Sequence, residues 1–126
     1  MRAWVLVDVQ VFGIRKNQDV RKALRFFAER RIQVHFVDLT ERAASKGELQ
    51  RFAQKFGVGA LIDKKSRRYA ELGLSAVRYD DSHWMTQLVE EPLVLAMPLA
   101  RYQHKVTIGL AEPEWEVWVK EGKAWR

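Results

Sequence analysis

The sequence predicts an α/β domain, a mixed four-stranded sheet flanked by helices in the order β-α-β-α-α-α-β-β-α. Three observations carry that expectation. Two β-rich runs, Trp4 to Ile14 and Ile32 to Leu39, enclose one run of helical spacing, the pattern of two parallel strands joined by a right-handed crossover. Towards the other end, two short strand-like runs meet across Gln103-His104, as an antiparallel hairpin does. Between and after these pairs, helical segments with recognisable start and stop residues fill the chain. No repeat, low-complexity tract or linker divides residues 1–126, so a single domain over that range is expected.

The first strand draws on Val5, Val7, Val9 and Val11 and is bounded by Gly13. Asp8 inside it implies a bulge, or a core strand that begins near Val9. From Asp19 to Arg31 the spacing turns helical. Val20, Ala23, Leu24, Phe27 and Ala28 share one face, while Arg21, Lys22, Arg25 and Glu29 point outward. Asp19 is expected as the N-cap or a first-turn acid. Ile32 to Leu39 alternates like a strand. Ser45-Lys46-Gly47-Glu48 has the form of a capping box and opens a helix from Glu48 to Phe56, which Gly57 closes. Ala60 to Leu74 reads as short helical pieces around a basic stretch.

Asp80 or Asp81 caps the next helix, Ser82 to Glu91, and Pro92 stops it. Leu99 to Tyr102 and Lys105 to Leu110 form the hairpin. The last helix, Glu112 to Lys123, carries Pro113 in its first turn, where a missing N–H does no harm. Trp115, Trp118 and Trp125, with Val119, are spaced for one side of that helix and are expected to pack it onto the sheet. Trp4 and Trp84 read as core or rim residues.

Composition narrows the function. Apolar residues at 48% suffice for one core, and no apolar run reaches the roughly eighteen residues of a membrane span. Met1-Arg2-Ala3-Trp4 leads into a strand without a small-residue cleavage site, so a cytoplasmic protein with no membrane partner is expected. The chain has no cysteine, which removes disulfides, thiolate metal sites and cysteine nucleophiles together. A net charge of +6 favours acidic partners through long-range attraction. His35, His83 and His104 lack ligand spacing, and no metal is expected. Asp80-Asp81 and Glu90-Glu91 read as helix-end residues rather than an acid–base pair. No phosphate-cradling glycine motif occurs, so nucleotide cofactors have no support. Lys64-Lys65-Ser66-Arg67-Arg68 sets four cations in five residues, either a solvated turn or a contact for anions.

Three strings resemble the arsenate-reductase-like (ArsC/Spx) family of the thioredoxin-like fold. V-F-G-I-R-K-N-Q-D-V-R-K-A-L, residues 11–24, is similar to the family's V-Y-G-I-K-N-C-D-T-C-R-K-A-L. L-I-D-K-K-S-R-R-Y-A-E-L-G-L, residues 61–74, is similar to L-I-N-K-R-G-T-T-Y-R-K-L-G-L. E-P-L-V-L-A-M-P-L, residues 91–99, is similar to N-P-x-L-I-x-R-P-V. The resemblance implies a thioredoxin-like domain over residues 1–126, with a cis-proline at Pro98 facing the start of the first helix.

It also implies a site that this chain lacks. The family's nucleophilic cysteine falls on Asn17, or on Gln18 with a one-residue slip, and the second cysteine of some members falls on Val20. The family's two oxyanion-binding arginines fall on Asp63 and Met97. With thiol and both cations replaced, no catalytic residue is assigned, and the expected role is non-catalytic protein binding or regulation, independent of redox state. The Spx branch, known for binding RNA polymerase, brings transcription machinery in as a candidate partner by analogy. Nucleic acid ranks below a protein partner, and a homodimer stays open. The candidate pocket and basic rim comprise Arg15, Lys16, Asn17, Gln18, Arg21, Lys65, Arg67, Met97 and Pro98, with Arg15, Lys16, Arg21, Lys65 and Arg67 expected on one basic face. No cofactor is expected under this reading. Two alternatives stand beside it: an arsenate reductase or glutaredoxin-like oxidoreductase that borrows an external thiol such as glutathione, and a small-anion-binding protein.

Overall fold

A strand of β-branched residues, a turn at a buried glycine and an amphipathic helix make up the first third of the fold. The computed structural model describes residues 8–123, so Trp4, Trp125 and the expected first residues of the opening strand lie outside it. The elements are β1 (Asp8–Gly13), α1 (Gln18–Glu29), β2 (Gln33–Asp38), α2 (Lys46–Phe56), α3 (Arg67–Glu71), α4 (Asp81–Glu90), β3 (Leu99–Tyr102), β4 (Lys105–Ile108) and α5 (Glu112–Lys123). Short 3-10 turns at Val58–Leu61, Leu74–Ala76 and Pro92–Val94 complete the segments read as broken helix. The described residues fall into two compact units, one made of the chain up to Asp38 and from Met97 onward, the other of Leu39–Ala96.

The first unit holds the sheet, in strand order β2-β1-β3-β4. β1 runs parallel to β2, with Val9 beside Val34, and antiparallel to β3, with Val9 beside Tyr102 and Phe12 beside Leu99. β3 and β4 form the antiparallel hairpin across Gln103-His104. Side chains alternate across a sheet, so Val9, Val11, Ala100 and Tyr102 share a face. They join Ala23, Phe26 and Phe27 of α1 and Trp115, Trp118 and Val119 of α5 in one buried cluster. The expected tryptophan seam on α5 therefore holds at Trp115 and Trp118. On α1 the buried face is shifted: Ala28, expected on the apolar face, is exposed, and Phe26, which the spacing left unassigned, is buried. Both positions border the apolar stripe, and the aromatic residue gains far more from burial.

The C-terminal end of α1 has its own lock. The Arg31 N–H donates to the Ala28 carbonyl and the Ile32 N–H to the Phe27 carbonyl, with Arg31 at φ 59°. This is a Schellman closure with arginine where glycine is usual. Ile32, buried against Phe27 in the same cluster, supplies the apolar contact that accompanies it.

Gly13 ends β1 with no room for a side chain. A Cβ there would overlap Val20 Cγ2 and lie 3.1 Å from Val20 Cγ1. Val20 is β-branched and held in the first turn of α1, so it cannot swing aside cheaply. Gly13→Ala is expected to lower stability by about 1–3 kcal/mol, the scale of overpacking, with partial recovery in Gly13→Ala/Val20→Ala. Urea denaturation of the three proteins checks it; an unchanged midpoint for the single variant contradicts the close approach.

In the second unit Ser45 caps α2 through the expected capping box, its Oγ accepting from the Glu48 N–H at 3.1 Å while Glu48 Oε1 accepts from the Ser45 N–H at 2.9 Å. Arg42 donates to both Glu48 carboxylate oxygens at 3.0 Å. That bidentate contact, aided by the Ser45 bonds, lowers the Glu48 pKa from 4.5 to about 2. A carboxyl with a depressed folded pKa contributes stability above its unfolded pKa and loses it as pH falls through the folded value. A loss of stability between about pH 4.5 and pH 2 is therefore expected, reduced in Glu48→Gln; because Arg42 is solvent-exposed the share is about 1 kcal/mol or less. Denaturation midpoints against pH for both proteins measure it, and identical pH profiles would remove Glu48 from the account.

Candidate functional site

The chain leaves β1 at Gly13, turns over residues 14–17 and enters α1 at Gln18. The Asn17 N–H donates to the Ile14 carbonyl at 3.1 Å and closes the turn. Asn17 has extended backbone (φ −75°, ψ 127°), and its side-chain oxygen accepts from the Val20 N–H at 3.0 Å. It is therefore the N-cap of α1, a place where asparagine is among the best residues. Asp19, read as the N-cap or a first-turn acid, is the first-turn acid, where the positive end of the helix favours it. Gln18, the first helical residue, is exposed.

The cations at this turn are partly committed. Arg21 Nη1 donates to the carbonyls of Arg15 and Lys16, both at 2.8 Å, and so straps the turn to the helix. The Arg15 guanidinium carbon lies 4.6 Å from the centre of the Phe36 ring on β2. Lys16 is exposed. At the position of the second family cysteine, Val20 is fully buried and fills the space over Gly13. That position serves packing here.

The Met97–Pro98 peptide bond is cis, the isomer implied for Pro98 by resemblance. Pro98 is buried, Met97 half-buried, and the Pro98 carbonyl accepts from the Gly109 N–H at 2.8 Å. Phe12 pairs with Leu99, so continuing that antiparallel register by one residue sets Pro98 beside Gly13, at the edge of the turn that leads into Asn17. The sheet thus carries the cis-proline and the helix N-cap at the same end of β1.

Asp63, Lys65 and Arg67 belong to the other unit. Asp63 Oδ1 accepts from the Lys65 N–H at 3.0 Å, and the Asp63 carbonyl from the Ser66 N–H at 3.1 Å. The carboxylate therefore shapes a turn at a position the resemblance assigns to an arginine. Ser66 caps α3. Lys64, Lys65 and Arg67 are exposed, whereas Arg68 is taken by Glu91 at 2.8 Å and Glu71 at 3.3 Å. Of the five residues expected on one basic face, Arg15, Lys16 and Arg21 are gathered at the turn, while Lys65 and Arg67 stand at the start of α3. His35, His83 and His104 are all exposed, and among the described residues no group of three metal-binding side chains occurs. Sequence spacing held no sign of Arg30, which lies 3.7 Å from the Phe26 ring centre and donates to Glu116 Oε2 at 2.8 Å. Its partner is eighty-six residues away, beyond any local pattern.

This end of β1 thus carries a neutral amide at a helix N-cap, a turn held by Arg21, and a cis-proline. Residues 12–118 match the ArsC family. The chain belongs to that family. An uncharacterized protein of Haemophilus influenzae is 25% identical over 109 residues, covering 86% of this chain and 96% of its own. The fold of this ArsC-family chain also superimposes on a YffB protein with a TM-score of 0.80 at 13% identity, covering 88% and 98% of the two chains. The arsenate reductase from Vibrio cholerae gives a TM-score of 0.73 at 22% identity, covering 88% and 95%. At those identities the structural likeness establishes the thioredoxin-like fold, with its mixed sheet, for this family member.

Proposed function

We propose that this ArsC-family protein is a non-catalytic binding module, with the β1–α1 turn and Pro98 forming its ligand-facing end. The observation that supports this is Asn17. Where the family strings carry the nucleophilic cysteine, an amide holds the helix N-cap through the Val20 N–H. An amide has no thiolate form, and the chain contains no cysteine that could substitute for it. Met97 before Pro98 and Asp63 in the α3 turn put an apolar group and an anion where the family pattern has cations.

The partner is a protein. The cytoplasm is its compartment, and transcription machinery is a candidate by analogy with the Spx branch. The purified protein is expected to leave arsenate reduction at the protein-free rate with glutathione and glutaredoxin present. Turnover above that rate overturns the reading in favour of an oxidoreductase that borrows its thiol.

A further inference from the structure

The two edges of the sheet differ. β4, at one end of the order β2-β1-β3-β4, is four residues long. Its first residue, Lys105, donates to Glu121 of α5 at 2.6 Å, and Gly109, at φ 77°, turns the chain just after it. Short length and a lysine are common means by which an edge is kept from pairing with another chain.

β2, at the other end, has neither guard. It runs for six residues, and its parallel register with β1 is continuous from Gln33 to Asp38, without a bulge. Gln33 to Val37 holds no proline, glycine, lysine, arginine or carboxylate. In a parallel pair every second residue turns its N–H and C=O away from the neighbouring strand. The rim of β2 over Gln33–Val37 therefore offers strand hydrogen-bonding groups that no further strand meets among the described residues. Its side chains are open too. Gln33 and His35 are exposed on one face, while Val34 and Phe36 lie against the α1–α5 cluster on the other and stay only half-buried.

Charge and pattern limit what fits this rim. At a net charge of +6 two copies of the protein repel at long range, so they meet most readily where cations are absent. Gln33–Val37 is such a place. In an antiparallel pair about a two-fold axis, residues that face the same way stand opposite each other, so the axis passes through a residue. Through His35 it spans the uncharged stretch end to end. Val34 then meets Phe36 twice on the apolar face, Gln33 meets Val37, and no like charges oppose each other. The strand this rim accepts, neutral over its length with apolar residues on the cluster side, is one like β2 itself.

We infer that two copies of this chain associate through β2, antiparallel about His35, and join their four-stranded sheets into one. The association does not depend on the binding-module reading, and it is measured without a ligand. A strand pair of this length buries less than a standard interface, so a dissociation constant in the micromolar range is expected.

Sedimentation equilibrium of the full chain over about 1–300 μM, at about 0.15 M salt, should show mass rising from one chain towards two. His35→Lys sets two ammonium groups against each other on the axis and should weaken association at least about tenfold. His104→Lys, the same change in the exposed β3–β4 turn, should alter it by no more than about twofold. Thermal melts confirm that both variants fold. Amide hydrogen exchange of the unaltered chain gives a second reading: it should slow within Gln33–Val37 as concentration rises and stay constant in β4. A monomer across the whole range, a dimer that forms equally well in His35→Lys, or exchange in β2 that ignores concentration overturns the proposal. None of these outcomes touches the arsenate assay, so failure here and failure of the binding-module reading are distinguishable.

Discussion

Trp115→Ala should lower stability by about 3–5 kcal/mol, the cost of removing a large aromatic side chain from a packed core. Trp115 is fully buried. Its ring centre lies 5.5 Å from Phe26 and 5.2 Å from Phe27, so the indole fills the space between α1 and α5. Its Nε1–H donates to Thr107 Oγ1 at 2.9 Å, and Thr107 is the one buried polar side chain among the described residues. Truncation opens a cavity and also leaves that hydroxyl in the interior without its donor, a further cost. Against a total stability of roughly 5–15 kcal/mol, this removes a large share. Trp115→Phe, which keeps most of the volume but loses the N–H and the second ring, should cost about half as much or less. Urea denaturation followed by circular dichroism measures both. A loss under about 1 kcal/mol for Trp115→Ala would show that the core closes around α1 without it.

Asn17→Cys is expected to turn an inert turn into a reactive one. A thiol at a helix N-cap meets the partial positive charge of the helix end, and here also the cations of Arg15, Lys16 and Arg21. Its pKa should fall about one unit below the ordinary value near 8.5, with alkylation by iodoacetamide at neutral pH several-fold faster than for an unperturbed thiol. Val20→Cys is the internal contrast. That side chain is buried over Gly13, and its thiol should react hardly at all. Loss of the asparagine cap should cost Asn17→Cys about 1 kcal/mol. Arsenate reduction is expected to stay at background even with the new thiol, because Met97 and Asp63 still supply no cation for the oxyanion. Titration of the alkylation rate of Asn17→Cys against pH decides the first part. A thiol pKa at or above about 8.5 in that variant would mean that the N-cap does not activate its occupant.

Much of the fold was legible from short-range pattern. The capping box at Ser45 and Glu48, Pro92 as a stop and the hairpin across Gln103-His104 are local devices, and each stands where the sequence places it, while of the two candidates Asp80 and Asp81 it is Asp80 that caps α4. Their energetics involve neighbours three or four residues away, which is why a linear reading finds them. The α1 cap shows the limit. Asn17 and Asp19 are both good cap residues, and only the backbone, extended at Asn17 and helical from Gln18, separates them.

The sequence by itself determined that this chain has no thiol chemistry of its own, since composition alone excludes a cysteine nucleophile, and it determined the order of strands and helices through periodicity and caps. Tertiary structure decided what the emptied positions do instead. Asn17 ties down a helix end, Val20 fills the space over Gly13, and Asp63 shapes a turn. It also decided how cations are used, for Arg21 and Arg30 are spent on carbonyls, a ring and a carboxylate. The reason is physical: a residue's type fixes which bonds it can make, but whether it makes them depends on groups brought near by folding from distant parts of the chain.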